Sequence, residues 1–249
     1  MHLSVIIPAY NEEKRITKTL NAIDEYLKKQ SYDSEIIVVS DGSKDKTAEV
    51  VNSLAPQIKN LRLIDNKENH GKGYVTRQGL MEAEGDYRLF TDADNSTSID
   101  QIEKMWPYLK GTCPESAEGG FDVVIGSRDI KGAVLDPPQP WIRQIVLGEG
   151  FKLFRKIVLG LWGVEDTQCG FKAMTKKSVE DVMPKCAIDR FAFDPEILIV
   201  AQKIGYKIKE IPVYWKNDLD SKVKAKAMIN MALDLFKIRF NALKGAYAQ

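Results

Sequence analysis

The chain has 249 residues, 44% of them hydrophobic and 29% charged, a balance that supports one ordinary globular core and excludes intrinsic disorder. Thirty-six basic residues offset 35 acidic ones, for a formal net charge of +1. That excludes a generally basic nucleic-acid binder, so any basic site is local. Three widely spaced cysteines, Cys113, Cys169 and Cys186, define neither a disulfide framework nor a zinc site and suit a reducing cytosol.

Met1 leads directly into the apolar run Ser4-Val-Ile-Ile7, without a basic flank or a long hydrophobic stretch, so no secretion signal is expected. No window reaches the roughly 18 apolar residues of a spanning helix. A membrane, if met at all, is expected to be met at its surface.

Short β-branched runs alternate with helix-period segments, the pattern of a parallel sheet wrapped by helices. Strands are expected near 3–8, 35–40, 61–65, 87–91 and 122–127, with helices near 45–55, 72–84 and 99–109. Between the first two strands, Asn11 is placed as the cap of a helix that buries Ile16, Leu20, Ile23 and Leu27 on one face. Strong loop punctuation falls only at 113–120 and at Asp136-Pro-Pro-Gln-Pro140. Beyond Trp141 the chain reads as helices with short strands, an elaboration of one domain spanning 1–249.

Five clusters fall at strand ends or helix starts, where open α/β sheets hold ligands. Pro8-Ala-Tyr-Asn-Glu12 closes the first strand and opens a helix; on its own it reads first as a capped turn, and next as a nucleotide contact. In Ser40-Asp41-Gly-Ser-Lys-Asp-Lys-Thr47, Asp41 is placed to accept hydrogen bonds from a nucleobase or ribose, or simply to cap, and Asp45 to start a helix. Asn69-His-Gly-Lys72-Gly73, with Arg77 a turn later, suits a phosphate or sugar-donor contact, or a solvated turn. Asp92-Ala93-Asp94 ends the fourth strand with two carboxylates that an extended backbone points to one side. They suit a hard divalent cation, Mg2+ or Mn2+, bridging a diphosphate leaving group. Gly126-Ser-Arg128 ends the fifth strand with a guanidinium suited to phosphate oxygens.

Taken together, these motifs resemble the family 2 glycosyltransferases of GT-A fold. Asp166-Thr-Gln-Cys-Gly-Phe-Lys172, Phe191-Ala-Phe-Asp-Pro-Glu196 and Ser221-Lys222 are similar to the polyprenyl-phosphate branch, first its dolichyl-phosphate β-glucosyltransferases and next its mannose synthases. The resemblance implies an inverting, metal-dependent hexosyltransferase with Pro8, Tyr10, Glu12, Asp41, Lys72 and Asp92-Ala93-Asp94 around the donor. Asp92 and Asp94 inherit the metal, and Arg128, Arg143 and Lys222 the acceptor phosphate. Residues 1–128 become the nucleotide-sugar and metal half, and 129–249 the acceptor half. Ser40 replaces the first of two aspartates found in many relatives, while Ser96 stands where mannose synthases place a glutamine. The implied donor is therefore UDP-glucose ahead of GDP-mannose.

A lipid phosphate is already anionic and needs no deprotonation, so no indispensable base is expected; Asp166 and Asp194 are the first candidates should one exist. The site must instead hold two repelling phosphates close together. A hydroxyl acceptor on the same fold would require a carboxylate base, and a silent nucleotide-sugar sensor would not require both aspartates.

Two segments are basic and amphipathic. One carries Phe151, Phe154, Val158 and Leu161 on a stripe; the other carries Met228, Met231, Leu235 and Ile238 among six lysines and arginines. They suit an anionic bilayer surface, or packing on the domain's own core. Members of the implied branch usually carry an amino-terminal anchor. Here the amphipathic helices, or a separate membrane-anchoring protein, are expected to hold the enzyme on the cytoplasmic face.

Overall fold

The computed structural model describes residues 2–114, 120–138, 150–216 and 225–247. Four parallel strands, β1 (His2–Ala9), β2 (Asp33–Asp41), β3 (Leu61–Asn66) and β4 (Tyr87–Thr91), lie in the order β3-β2-β1-β4. The fifth expected strand, β5 (Val123–Ser127), does not pair with β4, and β6 (Val134–Asp136) leaves this sheet altogether. Between β4 and β5 lies β7 (Phe171–Thr175), antiparallel to both, and β8 (Ile208–Pro212) continues the sheet parallel to β5. A short β9 (Tyr214–Lys216) pairs with β6.

The sheet is buried on both sides, which is why its parallel strands read as unbroken apolar runs rather than alternating ones. Leu3, Val5 and Ile7 face a core completed by α1 (Ile16–Leu27), α2 (Thr47–Leu54), a 3-10 segment (Ile99–Lys104) and α4 (Trp106–Leu109). Ile6, Ile37, Val39 and Phe90 face the opposite core. It is completed by α3 (Lys72–Glu82), α5 (Gly150–Leu159), α6 (Lys176–Val182), α7 (Phe193–Lys203) and α8 (Ala225–Leu243). Each such fully buried side chain contributes about 2 kcal/mol of transfer free energy.

The five expected strands form, and the buried face of α1 is the expected one: Ile16, Leu20, Ile23 and Leu27. Three expectations need correction. Asn11 does not cap α1. That helix starts at Ile16 without a side-chain cap, while Asn11 adopts φ 57° and its Oδ1 accepts the Lys44 amide at 2.8 Å, tying the first strand's turn to the second's. The single helix expected at 99–109 is split, because Pro107 has no amide hydrogen and fits only a first helical turn. The apolar stripes of α5 and α8 face inward: Met231, Leu235, Ile238 and Leu161 are buried, and Phe151, Phe154 and Val158 pack against the core. A second apolar face is exposed instead, with Leu153, Ile157, Trp162, Leu233, Phe236, Phe240 and Leu243. The side chain of Met228 lies outside the described residues.

Candidate active site

The carboxyl ends of β1, β2, β4 and β5 all open on one edge of the sheet, with the first turn of α3 beside them. At the end of β1, Pro8 is buried and Tyr10 stands 41% exposed. The Glu12 carboxylate is taken up by Arg15, with contacts of 2.7 Å to each oxygen, and the Glu12 amide donates to Thr47 Oγ1 at 2.8 Å. Glu12 thus acts here as a staple between the first and second strand ends.

Asp41 is 3% exposed, and its carboxylate is engaged by the next turn. Oδ1 accepts the His70 amide at 2.7 Å, and Oδ2 accepts the Gly71 amide at 2.9 Å and Asn69 Nδ2 at 2.8 Å. The residue singled out as a base or ribose contact therefore also shapes the Asn69–Gly73 turn. From the other side, the Asp189 carbonyl accepts the Gly73 amide at 2.8 Å, the Asp189 carboxylate meets Arg77 at 2.6 Å, and Arg190 reaches Asn69 at 2.8 Å. Gly71 has φ +115°, and a Cβ there would lie 2.2 Å from the Asp189 carbonyl, so only glycine fits.

This turn delivers Lys72, whose Nζ lies 2.5 Å from Asp92 Oδ1. Burial alone would lower its pKa, but Asp92, Asp194 and Asp94 outweigh that and raise it. Asp92 thus pairs directly with this ammonium while Asp94 adds negative charge around it, and neither carboxylate is placed by strand alternation. β4 ends at Thr91 and the two aspartates occupy a turn, where Asp94 Oδ1 accepts the Ser96 amide at 2.9 Å and the carbonyl of Ala93 accepts Thr19 Oγ1 at 2.7 Å.

Arg128 follows β5, and its Nε and Nη2 form a fork to the two oxygens of Asp166, at 2.7 and 3.0 Å. Burial pushes the Asp166 pKa up, but the charge and hydrogen bonds of Arg128 prevail and hold it well below the usual carboxylate range. The guanidinium also lies 5.2 Å from the centroid of the Trp215 ring. Arg143 and Lys222, the other residues assigned to an acceptor phosphate, lie outside the described residues.

The chain entering β7 joins these two groups. Cys169 is buried between them, and its thiol is pushed up to about 12, first by burial and then by Asp166. Gly170 follows, and its carbonyl accepts the Asp92 amide at 3.2 Å. A Cβ on Gly170 would sit 2.1 Å from Asp92 Oδ2, so the glycine leaves room for the carboxylate. Lys172 is fully buried, with Nζ 2.5 Å from Asp194 Oδ1 and 2.6 Å from the Cys169 carbonyl. Both carboxylates named as base candidates are therefore committed to cations. The gripping loop at 187–190 went unnoticed in the sequence because its partners lie more than 110 residues away.

Among the described residues, no group of three or more His, Cys, Asp or Glu side chains is arranged to hold a metal ion. A hard divalent ion often takes only one or two carboxylates and completes its shell from substrate phosphates and water. Asp92 and Asp94 fit that donor set, and the ammonium of Lys72 against Asp92 marks a place where positive charge is stabilised.

The α/β sheet thus carries carboxylates at a central strand end and an anchored arginine after β5. Similar folds occur in mannosyl-3-phosphoglycerate synthase from Rubrobacter xylanophilus (TM-score 0.67, 18% identity, covering 100% of this chain and 76% of that one). They occur also in glucosyl-3-phosphoglycerate synthase from Mycobacterium tuberculosis, solved with Mn2+, UDP and glucosyl-3-phosphoglycerate (TM-score 0.62, 18% identity, covering 96% and 78%). The chain belongs to glycosyl transferase family 2, whose model matches residues 4–183. It is 38% identical to a dolichyl-phosphate beta-glucosyltransferase of Trichomonas vaginalis over 244 residues, 96% of this chain and 71% of that protein. It is 33% identical to the Homo sapiens protein of that name over 253 residues, 98% and 77% of the two.

Proposed function

We propose that this enzyme transfers glucose from UDP-glucose to the phosphate of a polyprenyl lipid, dolichyl or undecaprenyl, with Mg2+ or Mn2+ held by Asp92 and Asp94. The observation that carries the reading is the pairing of charges across Cys169-Gly170: a carboxylate pair on one side, and on the other an arginine fixed in orientation by a buried aspartate. Likeness to dolichyl-phosphate beta-glucosyltransferases over nearly the whole chain supports the choice of sugar and acceptor.

In this reading Tyr10 and Pro8 flank the nucleoside, with Glu12 and Asp41 fixing the turns around it, and Lys72 meets the diphosphate. A bound divalent ion supplies positive charge to the leaving diphosphate. Arg128 orients the acceptor phosphate, aided by Arg143 and Lys222, so that an anionic oxygen attacks the anomeric carbon from the face opposite the departing diphosphate and inverts it. No proton need be removed, in keeping with the engagement of Asp166 and Asp194 by Arg128 and Lys172. Residues 1–128 form the donor half of a single 1–249 domain and 129–249 the acceptor half.

We also place the enzyme on the cytoplasmic face of a membrane, alone or with a membrane-anchoring protein. No described helix is long and apolar enough to cross a bilayer. The exposed apolar faces of α5 and α8 suit its surface, with Lys237, Arg239 and Lys244 along α8 and after it suiting anionic lipid.

The test offers radiolabelled UDP-glucose or GDP-mannose with a short polyprenyl phosphate and Mg2+ or Mn2+, wild type beside Arg128→Ala. Chloroform-soluble label from UDP-glucose, lost in the variant, supports the proposal. Lipid label from GDP-mannose alone reassigns the sugar. No lipid label with either donor, despite UDP binding, sinks the lipid-phosphate acceptor.

A further inference from the structure

Three carboxylates, Asp92, Asp94 and Asp194, and two ammonium groups, Lys72 and Lys172, cluster where β4 and β7 meet. Three negative and two positive charges leave one negative in excess. The two lysines differ in freedom. Lys172 is fully buried and fixed on both Asp194 and a backbone carbonyl. Lys72 has a side chain 27% exposed, its carboxylate contact is with Asp92, and its ammonium lies 6.0 Å from the centroid of the Phe193 ring. Its backbone is fixed by Gly71 and Asp189, but a flexible four-carbon stem leaves the ammonium able to swing.

We propose that Lys72 is an internal counter-ion that occupies Asp92 until a divalent ion arrives together with a diphosphate, and then moves onto the phosphate oxygens. The inference rests on the reading of Asp92 and Asp94 as the metal carboxylates. A divalent ion entering alone would turn the cluster's single negative charge into a single positive one, with the Lys72 ammonium facing the newcomer at close range. A diphosphate entering with the ion restores the balance and gives Lys72 a new anionic partner. Lys72 thereby makes metal affinity conditional on nucleotide. It opposes the metal alone and favours the metal–nucleotide pair, a sign reversal that a purely structural lysine does not produce.

The test measures free Mn2+ by electron paramagnetic resonance during titration of wild type, Lys72→Gln, Lys72→Met, Lys72→Arg and Asp92→Asn, each with and without UDP. Wild type is expected to bind Mn2+ weakly alone and far more tightly with UDP. Either neutral variant is expected to bind Mn2+ alone about tenfold more tightly than wild type, and to lose most of the gain that UDP provides. Lys72→Arg keeps the charge and should follow wild type for the metal alone. Unchanged or weakened Mn2+ binding by the neutral variants, with Asp92→Asn abolishing it, overturns the role of Lys72 and leaves the metal site standing. Absence of Mn2+ binding by wild type even with UDP overturns both.

Discussion

The guanidinium of Arg128 donates to both oxygens of Asp166, and the Arg128 amide donates to the same carboxylate at 3.1 Å. Asp166 also accepts the Gln168 amide at 3.0 Å, so one buried carboxylate fixes the arginine and the approach to β7 at once. Asp166→Ala leaves Arg128 with an unbalanced charge and should destabilise the protein by about 3 kcal/mol in urea unfolding. Because Arg128 holds the Asp166 pKa below its unfolded value, the carboxylate's contribution is complete above that unfolded value, about 3.9. It fades as pH falls toward the folded value. The stability gap between wild type and Asp166→Asn should accordingly stay flat from pH 8 to about 5 and close only in strong acid. A gap that closes near neutrality contradicts the pairing.

Gly170→Ala tests how closely the second half of the chain approaches Asp92, the carboxylate proposed to hold the metal. The added carbon meets Asp92 at 2.1 Å, and Asp92 must turn aside. A misplacement of that size is expected to cost about a hundredfold in turnover, with Mn2+ and UDP affinity falling together in calorimetric titration while the thermal midpoint moves little. Retained turnover would place the Asp92 carboxylate elsewhere during catalysis.

Tyr247→Phe addresses the far end of the chain. Its hydroxyl donates to Glu196 at 2.7 Å, and Glu196 in turn accepts the amides of Ala187 and Ile188, at the base of the loop that grips Gly71 and Gly73. Deleting one buried oxygen should cost about 1–2 kcal/mol, read as a lower thermal midpoint. Hydrogen exchange should quicken at residues 187–190, and no such change is expected in α2.

The exposed face of α5 and α8 predicts a separable phenotype. Phe236→Ser with Phe240→Ser removes two exposed rings, each 54% exposed or more, from α8. Co-sedimentation with anionic vesicles should fall about tenfold or more, while UDP binding in solution stays at the wild-type level. Undiminished sedimentation would turn attention from this face to another.

The first four strands were legible because β1, β2 and β4 are buried on both faces, and β2 and β4 end in aspartate-bearing turns, signals carried within a few residues. β7 was not. Phe171-Lys-Ala-Met-Thr175 has a charge at its second position, and Lys172 belongs in a buried strand only because Asp194, 22 residues on, neutralises it. Partnership at such distances also hid the fork between Arg128 and Asp166, and the hold of Asp41 on the Asn69–Gly71 turn. Residue type alone marks an aspartate at a strand end as available, whereas its exposure depends on a turn 28 to 30 residues later. On α5 and α8, apolar residues occupy two faces, so the periodicity identified an amphipathic helix without saying which face the core would take.

The late arrival of β7 has a consequence during synthesis. A nascent chain that has emerged only as far as Ser127 contains β4 and β5, yet the strand that joins them lies more than 40 residues ahead. Until it emerges, β4 presents an open row of amides and carbonyls, the feature that invites pairing with other chains. The ribosome thus releases β4 and β5 with a gap between them, which fills only when the segment that also carries Cys169 and Gly170 inserts. Filling the centre of the sheet and bringing Gly170 against Asp92 are one folding event, with β8 left to be added at the edge.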